Sequence, residues 1–386
     1  MARPSWLTKN LATLSWVSLL QDAASEMLYP LLPTLLNSVL HAPAAVIGMI
    51  EGLAEAASAS TKLASSWMHR YLPKKSMILI GYAGAALGKL IVALAAFWPV
   101  VMVGRVVDRL GKGMRSAARD ALLASEIDRQ HRGRAIGLHR AADTTGAVIG
   151  PLLALALLAA FNDNLRLVLW FAVVPGVLST ILVLFVRDAD GLKPRSPRVR
   201  QISEDRALPK RVTQSIAVLT AFGIINFPDA LILLHLGQIG FNISEVIGAY
   251  LLFNVSYAVL SFPAGALADR FKPNHVYAFG LLVFAVAYVG MAFTTDKVLT
   301  LVLIICYGAF AAANDSVGKS WIAKLAPDNQ QLWAQSLLQG LGGFAVLGAG
   351  LWAGITWTLG PGNGVVPLAI SGLLAVPIAL LLMRKH

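Results

Sequence analysis

Residues 165–186 read LRLVLWFAVVPGVLSTILVLFV, and Arg166 is the only charged side chain in the stretch. A helix of that length rises about 33 Å, enough to cross a hydrocarbon core of about 30 Å. Residues 365–383, VVPLAISGLLAVPIALLLM, repeat the pattern with no charge at all. Lipid offers no hydrogen bonds to a bare backbone, so such runs must be helices that satisfy their own polar groups. A transmembrane barrel would need segments of about ten alternating residues, and these runs do not alternate. The whole chain agrees: 57% of its residues are apolar and 13% charged, and its mean hydropathy is +0.67. That balance excludes a soluble globular protein and predicts an all-α membrane protein.

Working outward from those runs, the first half holds candidate spans at 12–36, 44–68, 76–97, 99–124, 134–160 and 165–187. The second half holds 212–237, 244–268, 274–294, 298–324, 330–357 and 363–383. The expectation is therefore twelve transmembrane helices. The first run carries Asp22 and Glu26 and lacks a small-residue cleavage site, so it reads as a retained helix and not a signal peptide. Cys306 is the only cysteine, which excludes an intrachain disulfide or a clustered thiolate site.

Charge sets the expected topology. The polar segment between the sixth and seventh spans contains Arg187, Lys193, Arg195, Arg198, Arg200, Arg206, Lys210 and Arg211 among Pro194, Pro197 and Pro209. Further basic residues follow the second span (Arg70, Lys74, Lys75), the fourth (Arg129, Arg132, Arg134) and the last (Arg384, Lys385), whereas the opposite connections carry little beyond Arg166 and Lys297. By the positive-inside rule both termini and the linker face the cytoplasm of a cell membrane, the inner membrane if the cell is a bacterium. The net charge of +12 is thereby explained by topology, and no nucleic-acid partner is expected.

The chain also repeats itself. Shifted by 200 residues, Val46-Ile47-Gly48 falls on Val246-Ile247-Gly248, and His69-Arg70 falls on Asp269-Arg270. A shift of 199 lays Ala135 to Pro151 over Ala334 to Gly350. The implied organisation is a six-helix bundle at 1–187, a basic linker at 188–211 and a second six-helix bundle at 212–386. Parallel repeats of this kind place a substrate site near the bilayer midplane, where the halves meet.

Two motifs carry a family resemblance. Gly265-Ala266-Leu267-Ala268-Asp269-Arg270-Phe271-Lys272, at the end of the eighth span, resembles the G-x-L-A-D-R-x-G-R-K loop of the major facilitator superfamily. In that family the loop latches neighbouring helices, its Asp resting on a helix N-terminus, where the dipole favours a carboxylate. The resemblance implies a gating role for Arg70, Gly265, Asp269 and Arg270. The first-half copy has His69 where the Asp belongs. On the fifth span, Gly137, Gly146, Gly150 and Pro151 resemble the G-x8-G-x3-G-P motif of the superfamily's exporters, although Ala154-Leu155 replaces the closing glycines. The resemblance implies antiport. Read physically, Ala142, Gly146, Gly150 and Ala154 form a small-residue stripe that lets another helix approach, and Pro151 allows bending.

The fourth span is the most unusual. Arg105, Asp108, Arg109, Lys112, Arg115, Arg119 and Asp120 fall within an arc of about 140° at 100° per residue. At mid-bilayer each such charge costs roughly 2.5 to 3.5 kcal/mol, so this face must look at partners or a wet cavity. Arg105 resembles the family's span-four Arg, which is linked to proton transfer, but the spacing to Gly111 and Gly113 departs from the family's pattern. Candidate partners are Asp22 and Glu26, one turn apart with Asp22 about 15 Å along its helix, Glu51 and Glu55 on the second span beside Ser58 and Lys62, and Arg140 and Asp143 on the fifth. The first half thus offers seven intramembrane acids, counting Asp108 and Asp120, against eight bases, counting Lys89. So near a balance suits a charge-paired network that orders gating as well as it suits direct substrate binding. In the second half the polar groups are Asn226, Asp229, Asn254, Asn314, Asp315, Lys319, Gln335 and Gln339, with Asp315 and Lys319 spaced to pair at i, i+4. The Met, Trp and Phe residues on the spans read as packing or lipid-facing.

The function expected is secondary active transport by alternating access: proton-coupled export of a small organic solute, drug-like or an organic anion or zwitterion. Proton-coupling candidates are Asp22 and Glu26 first, then Glu51, Glu55, Asp143 and Asp229. Substrate or charge-network candidates are Arg105, Asp108, Arg109, Lys112, Arg140, Asn226, Asn314 and Asp315. The alternatives are proton-driven uptake or uniport of an anionic metabolite recognised by Arg105, Arg109 or Arg140, and a lipid-modifying enzyme, which the scattered histidines do not favour. The expected partners are the small-molecule substrate, protons and the lipid bilayer, with the proton gradient as energy source, no cofactor and a monomer as the working unit.

Overall fold

The computed structural model describes residues 7–69, 71–127, 131–187, 207–327 and 330–384. Helices account for the regular structure, and no strand occurs among the described residues. They are α1 (Lys9–Leu28), α2 (Ala44–Met68), α3 (Lys74–Leu94), α4 (Trp98–Glu126), α5 (Arg132–Ala160), α6 (Leu165–Val183), α7 (Lys210–Ile225), α8 (Asp229–Gln238), α9 (Ile243–Arg270), α10 (Pro273–Phe293), α11 (Lys297–Leu325), α12 (Gln331–Ile355) and α13 (Val365–Arg384). With α7 and α8 forming one span, these are the twelve transmembrane helices of an all-α membrane protein built as two six-helix halves.

Short polar side chains start several helices by satisfying their free N–H groups. Thr8 accepts from the Leu11 N–H at 3.0 Å, Asn164 from Leu167 at 3.2 Å and Asp296 from Leu299 at 2.7 Å. Asn242 and Glu245 form a reciprocal capping box at the start of α9. Apolar side chains such as Val174, Phe185, Phe279 and Phe293 face outward, as lipid requires.

Two spans differ from the sequence expectation. The first extends beyond 36: after Leu28 the chain passes through a 3-10 turn at Tyr29–Leu31, a short helical turn at Leu32–Thr34 and a π segment at Leu35–Val39. Pro30 and Pro33 lack the N–H that a regular ladder needs. The seventh, expected to be continuous over 212–237, is broken at 226–228. Asn226 leaves helical geometry with ψ 87°, Pro228 follows with ψ 138°, and a new helix starts at Asp229.

The chain forms two compact units, one of residues 1–41 and 53–197, the other of residues 42–52 and 198–386. The opening turns of α2 therefore group with the second unit, not the first. There the backbones at Gly48 and Gly350 lie so close that a Cβ on Gly48 would meet the Gly350 carbonyl oxygen at 2.0 Å. Within the first unit α1 packs on α5 and α6, and α3 on α4 and α6. Glycines set the α3–α4 crossing, since a Cβ on Gly88 would lie 2.5 Å from the Gly104 carbonyl oxygen and one on Gly111 2.4 Å from that of Gly81. Within the second unit α10 packs on α11 and α13, α9 on α11, and α7 on α12.

Nine of the spans, among the described residues, are long and apolar enough to cross a membrane by composition alone. The three that fall short are α1, α2 and α4, the helices that carry most of the intramembrane acids and bases of the first half.

Candidate functional site

The first unit is organised around the ionic face of α4, which meets a different partner at each turn. At Asp108 the carboxylate accepts from Lys89 of α3 at 3.2 Å and lies 3.6 Å from the Arg105 guanidinium. Lys89 is 1% exposed and Arg105 2%, and the Arg105 guanidinium stands 5.5 Å from the centre of the Tyr29 ring. One turn on, Arg109 meets Glu55 of α2 at 3.5 Å. Lys112 is within electrostatic reach of Arg109, Glu55 and Asp22. Arg115, buried, stands over the Tyr82 ring at 4.7 Å. Arg119 donates to the Ser18 hydroxyl at 2.9 Å and to Asp120 at 3.1 Å.

The α1–α5 contact completes the site. A Cβ on Gly146 would lie 2.4 Å from the Leu19 carbonyl oxygen and 3.2 Å from the Asp22 Cβ, and one on Gly150 would lie 2.6 Å from the Ala23 oxygen and 2.9 Å from the Glu26 Cβ. The glycine stripe of α5 thus seats against α1 at the level of its two acids. Asp22 is within electrostatic reach of Asp143, Arg115, Lys112 and Glu26. Asp143 lies 3.7 Å from His139 Nε2, which is 3.5 Å from the Ser18 hydroxyl. Gln21, buried on the same helix, accepts from Ser179 of α6 at 3.0 Å.

In the second unit the polar groups are held mainly by tyrosines. Tyr307 donates to Asp229 at 2.5 Å, Tyr288 to Asn226 at 3.3 Å, Tyr277 to Asn314 at 2.7 Å and Tyr257 to Asp315 at 3.2 Å. Asp315 also pairs with Lys319 at 2.5 Å. Asp229, the first residue of α8, borders a small recess.

The candidates therefore divide. Asp22, Glu26, Asp143, Arg105, Asp108, Arg109, Lys112 and Glu55 lie along one connected face of the first unit, whereas Arg140 of α5 is exposed, within electrostatic reach of His139. Glu51, 2% exposed, groups with the second unit, as do Asn226, Asp229, Asn314 and Asp315. Gly146, Gly150 and Pro151 lie on α5, but a Cβ on Gly137 would meet nothing within 4 Å, so that glycine is not needed for packing. Gly265 and Arg270 belong to the last turns of α9, where Arg270 is exposed. Arg70, the Asp269 side chain and linker residues 188–206 lie outside the described residues.

Sequence reasoning did not find the Lys89–Asp108 pair or the place of His139. Each left a signal: Lys89 is the lone charge deep in an apolar run, and His139 and Asp143 are spaced i, i+4.

The sequence profile of the Major Facilitator Superfamily matches residues 14–254 and 213–386. An uncharacterized MFS-type transporter of Methanocaldococcus jannaschii is 28% identical over 379 residues, which covers 95% of this chain and 94% of the relative. The multidrug resistance protein MdtG of Serratia proteamaculans is 28% identical over 231 residues, 57% of this chain and 55% of its own. Among solved structures, a bacterial homolog of the human lysosomal transporter Spinster, inward-facing and unoccupied, superposes with a TM-score of 0.77 at 13% identity, covering 99% of this chain and 96% of that one.

Proposed function

Since the chain belongs to the Major Facilitator Superfamily and is a secondary transporter, not an enzyme, we propose that it exports a small organic solute in exchange for protons. The observation that carries this reading is the seating of Asp22 and Glu26 on the glycine face of α5, with Asp22 within electrostatic reach of Asp143 and of Arg115 and Lys112. Buried charges interact strongly because the low-dielectric interior screens them little. A carboxylate balanced between an acid and two cations is therefore sensitive to small helix displacements, and alternating access supplies them. The proton gradient supplies the energy, and no cofactor is required.

Export is favoured by the small-residue stripe of α5, which resembles the exporters' motif, and by the likeness to MdtG. Uptake of an anion has less support, because two of the three arginines that would recognise it are engaged within the unit, Arg105 with Asp108 and Arg109 with Glu55, and Arg140 is exposed. The working unit is a monomer in the cell membrane, with both termini and the linker in the cytoplasm.

The test is a screen of solutes on the purified transporter in proteoliposomes under an imposed pH gradient, reading internal pH and solute content together. Solute leaving against proton entry is the expected result. Solute movement indifferent to the gradient in every case would remove the proton from the mechanism.

A further inference from the structure

Three elements of the second unit meet at one buried histidine. His235 lies in the last turn of α8. Its Nδ1 is 2.7 Å from the Asn363 carbonyl oxygen and its Nε2 3.0 Å from that of Met291. Met291 belongs to the last turn of α10, so its carbonyl has no N–H one turn on to accept from within the helix. Asn363 sits in the loop 356–364 between α12 and α13 with a left-handed φ of 54°, among Gly360, Gly362 and Gly364 at φ 64°, 78° and 78°. The same loop is tied a second time. The Trp357 indole N–H donates to Gln238 Oε1 at 2.9 Å, and the Gly364 N–H to the Trp357 carbonyl oxygen at 3.1 Å. α8 closes the seventh span, α10 is the ninth, and the loop joins the eleventh to the twelfth. All three therefore meet on the side of the membrane opposite the N-terminus, which is the outside on the topology proposed above.

Both partners of His235 are acceptors. A neutral imidazole has one N–H, so it satisfies one carbonyl and sets a bare lone pair against the other. Turning the ring over only exchanges the two nitrogens. An imidazolium donates at both and fits the geometry as it stands. The surroundings favour that charge without a carboxylate, because the partial negative charge at the C-terminal end of α8 and that of α10 both fall on the ring. Among the described residues no charged side chain of α8, α10 or the loop acts on His235, so the two carbonyls decide its state. We infer that His235 binds a proton as this clasp closes, so that acid on that side of the membrane fastens the 356–364 loop to α8 and α10. Loss of the proton gives up one of the two contacts and leaves the Trp357–Gln238 bond to hold the loop. The device depends neither on the solute carried nor on the acids of α1.

The test is solid-state NMR of the full transporter in lipid bilayers, with no solute and no gradient, carrying NMR-active nitrogen in the histidine rings and NMR-active carbon in the methionine and asparagine carbonyls. A ring nitrogen in contact with a methionine carbonyl identifies His235, and its loss in His235→Gln gives a second assignment where that variant folds. At about pH 5, below the ordinary histidine range, both nitrogens should carry a proton, one in contact with Met291 and the other with Asn363. At about pH 9, one N–H and its carbonyl contact should be lost together. A single N–H at about pH 5 would overturn the proposal, as would carbonyl contacts unchanged between the two conditions.

Discussion

Replacing Asp108 with asparagine removes the carboxylate shared by Lys89 and Arg105, at 3.2 and 3.6 Å, in a setting where those cations are 1% and 2% exposed. Arg109 and Arg115 are also within electrostatic reach of it. At an effective dielectric of about 20, each of the two close contacts has a gross Coulomb energy of about 5 kcal/mol. Most of this is offset by desolvation, but breaking a buried pair from one side still costs about 3–5 kcal/mol, because the remaining charge stays buried without its partner. The triad of Lys89, Arg105 and Asp108 has a net charge of +1, which Asp108→Asn raises to +2. Lys89→Met lowers it to zero and leaves Arg105 with its carboxylate, so that change should cost roughly half as much. The assay is thermal unfolding in detergent, followed by intrinsic fluorescence. Asp108→Asn should lower the midpoint by roughly 5 °C, and Lys89→Met by clearly less. If Asp108→Asn is the milder of the two, the carboxylate is not what holds these cations.

Helix packing gives a second contrast: Gly150→Leu must push α1 from α5, since its Cβ would start 2.6 Å from the Ala23 oxygen, costing about 1–3 kcal/mol with loss of proton-driven transport. Gly137→Ala, with nothing within 4 Å, should leave midpoint and transport unchanged. In a Cys306→Ser background, a single cysteine at Lys74 should label from the cytoplasmic side and one at Asp163 from outside, and labelling of both from one side refutes the topology. Asp269→Asn should slow turnover more than it weakens substrate binding, as a latch requires, and a pure loss of affinity with normal turnover contradicts that role.

The helices were legible because their apolar runs have the length of the bilayer and each half repeats the other. The ionic face of α4 was legible from its periodicity, which fixes direction but not partners. Periodicity does not say that Asp108 turns toward Lys89 of α3, that Arg140 of α5 is exposed, or that only Gly146 and Gly150 of the glycine set meet α1 at its acids. Those outcomes depend on the rotation of neighbouring helices, which a single helix does not encode. The break at 226–228 had a local signal, proline followed by an acid at a helix start, but it lies inside an apolar run whose length alone reads as one span. The hydroxyl that holds Asp229 comes from Tyr307 of α11, far along the chain, so only the folded unit assembles that pair.

The measurement that bears most directly on proton-coupled export is the number of protons moved per solute, with the pH profile of transport, in wild type, Asp22→Asn, Glu26→Gln and the double variant. An amide at either position mimics a permanently protonated acid. If Asp22 or Glu26 carries the proton, the corresponding variant should lose pH-driven transport while still exchanging labelled for unlabelled solute across the membrane. Wild-type stoichiometry and an unshifted profile in all three variants would contradict the account, and would leave these two carboxylates as structural members of the charge network along α4.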